Sequence, residues 1–137
     1  MIYAVIDTNV LVSALFTKNV ESATVKVLDA MLKDNIVPLY NVEILHEYAE
    51  VLNRPKFRFS KELVDYYLKA FEEKGLSVQR SKSHNDFFPD PKDVVFYEVA
   101  LSKEDAYLVT GNLKHFPKTP IVVTPAEMLE ILEGKEG

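Results

Sequence analysis

Five residues combine side-chain chemistry with informative spacing. Asp7 directly follows the apolar run 2–6, and Glu47 lies within a helical stripe. Asp90 and Asp93 bracket Pro91 and Lys92, and Asn112 follows Gly111 after a second apolar run, 106–110. A carboxylate placed directly after a buried strand projects into the crevice at that strand's carboxyl end. On a helical wheel, Glu47 borders the stripe of Ile44, Leu45, Tyr48, Val51 and Leu52, whereas Glu43 and Glu50 fall toward solvent. Brought together, Asp7, Glu47 and Asp93, with Asp90 and Asn112 near by, would repel one another and raise each other's pKa unless a cation neutralised them. Oxygen-only donors of this kind suit Mg²⁺ or Mn²⁺ and leave coordination positions for phosphate oxygens and water. The chemistry such a cluster implies is metal-assisted phosphoryl transfer or hydrolysis.

Each of these residues also has a purely structural use. Asp7 suits the cap of whatever follows the strand. Asp90 and Asp93 match N-cap and N3 positions around a first-turn proline, so capping alone would account for both. A helix glutamate such as Glu47 is ordinarily solvated, and an asparagine after glycine is ordinarily a turn residue.

The elements that must position these residues are readable from periodicity. Segments 2–6, 36–40, 106–110 and 121–123 are short, β-branched apolar runs that fit strands buried on both faces, and 76–79 is a further candidate. Pro38 fits a strand near a sheet edge or a strand end. Helical spacing covers about 20–33, about 42–52, the segment from Ser60 to Gly75, and a segment opened by Asp90-Pro91-Lys92-Asp93. Thr124-Pro125-Ala126-Glu127 starts a last helix with a cap, a first-turn proline and a glutamate. Strands alternating with helices predict right-handed crossovers and a parallel sheet covered on both faces.

Length and composition frame this reading. The 137 residues are enough for one domain with an apolar core, and 47% hydrophobic residues is an ordinary globular value. No run is long enough to span a bilayer, and Met1-Ile2-Tyr3-Ala4-Val5-Ile6-Asp7 lacks a basic leader, so a cytoplasmic protein is expected. The absence of cysteine removes disulfides and thiolate zinc sites. A net charge of −5 argues against a protein that coats nucleic acid by bulk charge. The cations are nevertheless clustered: Arg54, Lys56, Arg58 and Lys61 interleave with Phe57 and Phe59; Arg80, Lys82 and His84 form a second group; Lys114, His115 and Lys118 form a third. Basic residues beside aromatics can hold a single strand's backbone and stack its bases, which makes Arg54, Lys56 and Arg58 RNA-binding candidates.

The chain resembles the PIN-domain nucleases, and within them the toxin components of toxin–antitoxin systems. The resemblance rests on residues 5–14, with Asp7-Thr8-Asn9 at their centre, and on residues 44–52 around Glu47, followed by Arg54-Pro55-Lys56-Phe57. Asp90-Pro91-Lys92-Asp93 and residues 107–116 complete it. It implies a single PIN-like domain over 1–137, a three-layer α/β/α sandwich with a parallel central sheet. The implied activity is endoribonucleolytic, with one or two Mg²⁺ or Mn²⁺ ions. Carried across, Asp7, Glu47 and Asp93 match the acidic metal ligands, and Thr8 and Asn9 match the small polar residues beside the first acid. Asn112 stands where many members carry a fourth acid, leaving Asp90 or Asp105 as compensating acids. The implied reaction is hydrolysis of an RNA phosphodiester to 5′-phosphate and 3′-hydroxyl ends. An antitoxin partner and a homodimer or higher oligomer are also implied, with Tyr66, Tyr67 and Phe71 as possible contacts.

Three other readings stand beside this one. A haloacid-dehalogenase-like phosphatase needs a second acid two residues after the first, where Asn9 stands. A receiver domain needs adjacent early acids and a lysine after a late strand, and Val123-Thr124-Pro125 offers none. A PIN-like module without activity, serving in binding or regulation, is favoured by Asn112 and opposed by Asp7, Glu47 and Asp93.

Overall fold

A computed structural model describes residues 1–82 and 88–134. The first strand, β1 (Ile2–Ile6), runs without a loop into α1 (Thr8–Phe16), with Asp7 as the single residue between them. Then follow α2 (Ala23–Leu32), β2 (Ile36–Tyr40), α3 (Val42–Leu52), α4 (Lys61–Lys74) and β3 (Leu76–Ser77). The chain ends with α5 (Val94–Leu101), β4 (Tyr107–Val109), β5 (Val122–Val123) and α6 (Pro125–Leu132). The five strands form one parallel sheet in the order β3-β2-β1-β4-β5.

Ala4, Val5 and Ile6 are fully buried in succession, and successive strand residues point to opposite faces, so helices cover both sides of β1. The apolar core continues through Leu39, Ile44, Tyr48, Phe71, Phe96, Leu108 and Met128. The expected α/β architecture is the one observed.

The helix starts follow local chemistry. Ser22, Asn41 and Ser60 each accept a hydrogen bond from the backbone N–H three residues on, which starts α2 at Ala23 rather than near residue 20. Thr124 and Glu127 close a reciprocal capping box at α6. At the far end of α4, a Cβ on Gly75 would lie 2.5 Å from both the Phe71 and the Pro38 carbonyl oxygens. Only glycine lets the helix end pass this close to β2.

Three details depart from the sequence expectation. The strands expected at 76–79, 106–110 and 121–123 are each shorter, because the ladders pair only residues 76–77, 107–109 and 122–123. Asp90 opens a 3₁₀ turn, Pro91–Asp93, and the α-helix begins only at Val94. Pro38 lies on an inner strand, not an edge strand. It is tolerated because β3 pairs only with Leu39 and Tyr40, which leaves no ladder on that side at Pro38.

Candidate active site

The connectivity creates the site. From β1 the chain works outward through β2 to β3, then crosses back to β4 and β5 on the other side of β1. The strand order therefore reverses between β1 and β4, and in open α/β sheets the crevice beyond the strand ends at such a point is where ligands bind. Ile6 pairs with Val109, and the Asp7 N–H donates to the Val109 carbonyl at 2.9 Å, so Asp7 and Thr110 emerge side by side.

Asp7 is only 6% exposed and makes no capping hydrogen bond to α1, so the simple cap reading does not describe it. Its Oδ2 instead accepts a hydrogen bond from the Thr110 hydroxyl at 2.8 Å. Burial pushes the Asp7 carboxyl up to about 6, and the charges of Asp93 and Glu47 push the same way. The Thr110 hydroxyl and the Thr8 N–H oppose them without cancelling them. Thr110, fully buried, had no role in the sequence reading; its only signal was a hydroxyl at the end of a buried run.

Glu47 reaches the same place from α3. Ile44, Tyr48 and Leu52 fix the buried face of that helix, and Glu47 sits half-buried at its border while Glu43 and Glu50 are exposed. The Thr8 hydroxyl donates to Glu47 Oε2 at 3.1 Å. Below them Tyr48 is fully buried, packs against Phe71 and Phe96, and donates its hydroxyl to the Ile6 carbonyl. Burial and then the neighbouring Asp7 and Glu47 charges hold the phenol well above its usual pKa, so it stays neutral.

Asp93 stands at the amino end of α5 and makes no capping bond. Its Oδ2 is buried without a well-formed hydrogen bond and lies 3.3 Å from His115 Nδ1. Burial and then Asp90 raise its pKa, His115 opposes them, and Glu47 adds a smaller rise. Asp90 does act as a cap, accepting from the Lys92 N–H at 3.0 Å, yet its charge reaches Asp93. Asn9 Oδ1 accepts from the Gly111 N–H at 3.3 Å, and the Asn112 N–H donates to Thr110 Oγ1 at 2.9 Å, so both brace the turn that carries Thr110. Asp105 lies just before β4, at the amino edge of the sheet and away from the site, with a left-handed φ of 63°.

The electrostatic couplings thus link Asp7, Glu47, Asp93 and Asp90, although among the described residues no group of three such side chains is close enough, as placed, to hold a metal ion. In chemical type the donors fit a hard dication: all are carboxylates, one is ionised against burial, and one buried oxygen is left without a hydrogen bond. A groove of about 900 Å³ beside β5, lined by residues that include Leu113, Phe116 and Val122, includes none of these acids.

The basic groups separate into different roles. Arg54 is held by Glu50 in a two-pronged ion pair at 2.8 and 2.9 Å, and feels the Glu47 charge. Lys56 lies 5.1 Å over the Phe57 ring, and Arg58 is exposed. Arg80 is a clamp rather than a free cation, binding both Glu43 and the buried Glu98 at 2.8 Å. His84 lies outside the described residues, and His115 is engaged with Asp93. Phe71 is core, whereas Tyr66 is 57% exposed.

No curated protein matches the chain. The family model described as PIN domain matches residues 3–114, from β1 to just past the turn that carries Thr110 and Asn112. That span contains every acid assembled around the β1–β4 switch point, and with most of its length matched the chain belongs to the PIN-domain family, a family generally of nucleases.

Proposed function

We propose that the protein is a metal-dependent endoribonuclease that hydrolyses RNA phosphodiester bonds. In this reading Asp7, Glu47 and Asp93 hold one or two Mg²⁺ or Mn²⁺ ions. The observation that supports it most directly is uncompensated negative charge at the switch point: a 6%-exposed carboxyl pushed up to about 6, with two further acids in electrostatic range. A bound dication would supply Lewis-acid activation of the phosphate and of the attacking water.

The chain's own residues divide the remaining work. Thr110 and Thr8 fix the rotamers of Asp7 and Glu47 through their hydroxyls. Asn9 and Asn112 hold the turn beneath Thr110, and Asp90 shapes the turn that delivers Asp93. Neutral Tyr48 fills the floor and excludes water from below. Asn112 in place of a further acid leaves one negative charge fewer, which favours one tightly held ion over two.

The biological reading is the toxin of a toxin–antitoxin pair, acting in the cytoplasm as a homodimer or higher oligomer, with residues 1–137 as one PIN-like unit. Its antitoxin would occlude the site by presenting a basic side chain to the acids.

Cleavage of RNA by wild type and Asp7→Asn, each with and without Mn²⁺, tests the activity. Metal-dependent cleavage by wild type alone is expected. Equal cleavage by a well-purified variant would refute the assignment. Absence of both cleavage and calorimetric Mn²⁺ uptake in wild type would leave the inactive binding module. Co-purification with the product of a small adjacent gene tests the toxin role.

A further inference from the structure

Three phenylalanines from two separate parts of the chain meet at the surface. Phe57 and Phe59 stack with centroids 5.6 Å apart and planes 12° apart, and Phe16 meets both edge-on at 6.3 and 6.4 Å. The backbone arranges this. Pro55–Phe57 is a 3₁₀ turn, and Arg58 then takes a left-handed φ of 56°, turning the chain so that the rings on either side of it lie face to face. Phe59 anchors the group on the core. Phe16, in contrast, is 65% exposed at the last position of α1.

The charges around this cluster are unusual for a chain of net charge −5. Lys56 and Arg58 flank the rings, and among the described residues neither has an ion-pair partner, whereas Arg54 is neutralised by Glu50. Phe16 is the exposed ring of the three, Phe57 and Phe59 are half-buried, and Lys56 over the Phe57 ring and exposed Arg58 add positive charge beside them. This arrangement is complementary to a single nucleic-acid strand, with stacking offered to a base and charge to the phosphates. Its position matters as much. The acids lie around the first residue of α1 and Phe16 is the last, so the helix rise separates them by about 12 Å. At a stacked rise of about 3.4 Å per nucleotide, that is roughly three to four nucleotides of strand.

The geometry points to Phe16, Phe57 and Phe59, with Lys56 and Arg58, as a base-stacking subsite that holds single-stranded RNA a few nucleotides from the bond cut at the acidic site. This rests on the ribonuclease reading for the identity of the strand. It selects unpaired RNA, because a base within a duplex cannot offer its face to Phe16.

The test is binding without cleavage. A fluorescent single-stranded 12-mer RNA and the same sequence as a blunt duplex are titrated with the full chain in EDTA and followed by anisotropy. Phe16→Ala is expected to weaken single-strand binding roughly 5- to 150-fold, with Phe16→Tyr restoring it and duplex binding unchanged. Lys56→Ala/Arg58→Ala is expected to flatten the logarithmic salt dependence by about 1.4, as two lost phosphate contacts require. Thermal melts confirm that the variants fold. Unchanged single-strand affinity in Phe16→Ala overturns the proposal, as does an equal loss for duplex. A change in oligomeric state without a change in RNA binding overturns it in favour of a protein interface. Impaired binding by the variants of a wild type that cuts no RNA would instead retain the subsite and reject the nuclease reading.

Discussion

Replacing Asp7 by asparagine should remove function and, in the metal-free protein, add stability. The side chains have nearly the same shape, and an amide oxygen can still accept the Thr110 hydroxyl that now bonds Oδ2. What disappears is a charge held at 6% exposure. The Asp7 carboxyl lies at about 6 in the folded chain against 3.8 for the unhindered group, a rise of about two pH units. At about 1.4 kcal/mol per unit, ionised Asp7 costs the metal-free fold about 3 kcal/mol at pH 7–8. The window follows from the direction of the shift. Below about pH 4 the carboxyl is protonated in both states and costs nothing. Between about 4 and 6 the folded chain keeps a proton that the unfolded chain has released, so stability falls as pH rises. Above about 6 the penalty is complete.

Urea unfolding in EDTA from pH 4 to pH 8 reads this directly. The variant should match wild type at pH 4 and exceed it by about 3 kcal/mol at pH 8, equivalent to a melting temperature higher by about 10 °C for a chain of this size. Adding Mn²⁺ should reverse the order, because ligand binding to the folded state alone stabilises wild type in proportion to ln(1 + [Mn²⁺]/Kd) and the variant hardly at all. A variant no more stable than wild type at pH 8 in EDTA would show that Asp7 is not electrostatically strained. The argument for a cation at this place would then lose its basis.

Three further substitutions probe the surroundings. Thr110→Val keeps shape and removes the hydroxyl on Asp7; Mn²⁺ affinity by calorimetry should fall about 10- to 100-fold, and an unchanged affinity would make the bond incidental. Arg80→Ala takes away the cation held 2.8 Å from Glu98 and, since Arg80 is about one-third exposed, should cost about 1–3 kcal/mol in urea unfolding. Much of that loss should return in Arg80→Ala/Glu98→Gln, and a double variant no better than the single one would rule out charge as the cause. Tyr48→Phe deletes a buried hydrogen bond to the Ile6 carbonyl and should cost about 1–2 kcal/mol, with Mn²⁺ uptake retained; loss of uptake would give the phenol a role at the metal.

The parts of this site that periodicity exposes are those whose cause is local. Asp7 is legible because a charge ends a buried run, and Glu47 because a 3.6-residue period places it at the margin of a stripe bounded by Ile44 and Val51. Thr110 is not legible, because it meets Asp7 across 103 residues and only through the pairing of β1 with β4. Arg80 misleads for the same reason. In sequence it neighbours Lys82 and looks like part of a basic patch, whereas in space its partners are carboxylates 37 and 18 residues away. Asp105 looks interchangeable with Asp90 until the strand direction puts it at the opposite edge of the sheet. Phe16 reads as one more apolar residue of its segment, and only tertiary contact joins it to Phe57 and Phe59.

Net charge is therefore a poor guide to what this protein binds. A value of −5 describes the field at a distance, and in physiological salt that field is screened beyond about 8 Å. A strand on the surface meets the local arrangement instead. The first turn of α1 belongs to the acids, whose repulsion a cation would relieve and whose field the same cation would invert where a phosphate must approach. The last turn ends in rings beside Lys56 and Arg58, neither of which is neutralised by an acid among the described residues. One short helix thus connects the two ends of the proposed strand path. Its length, eight rises of 1.5 Å from Thr8 to Phe16, would set about 12 Å between the proposed stacking surface and the acids.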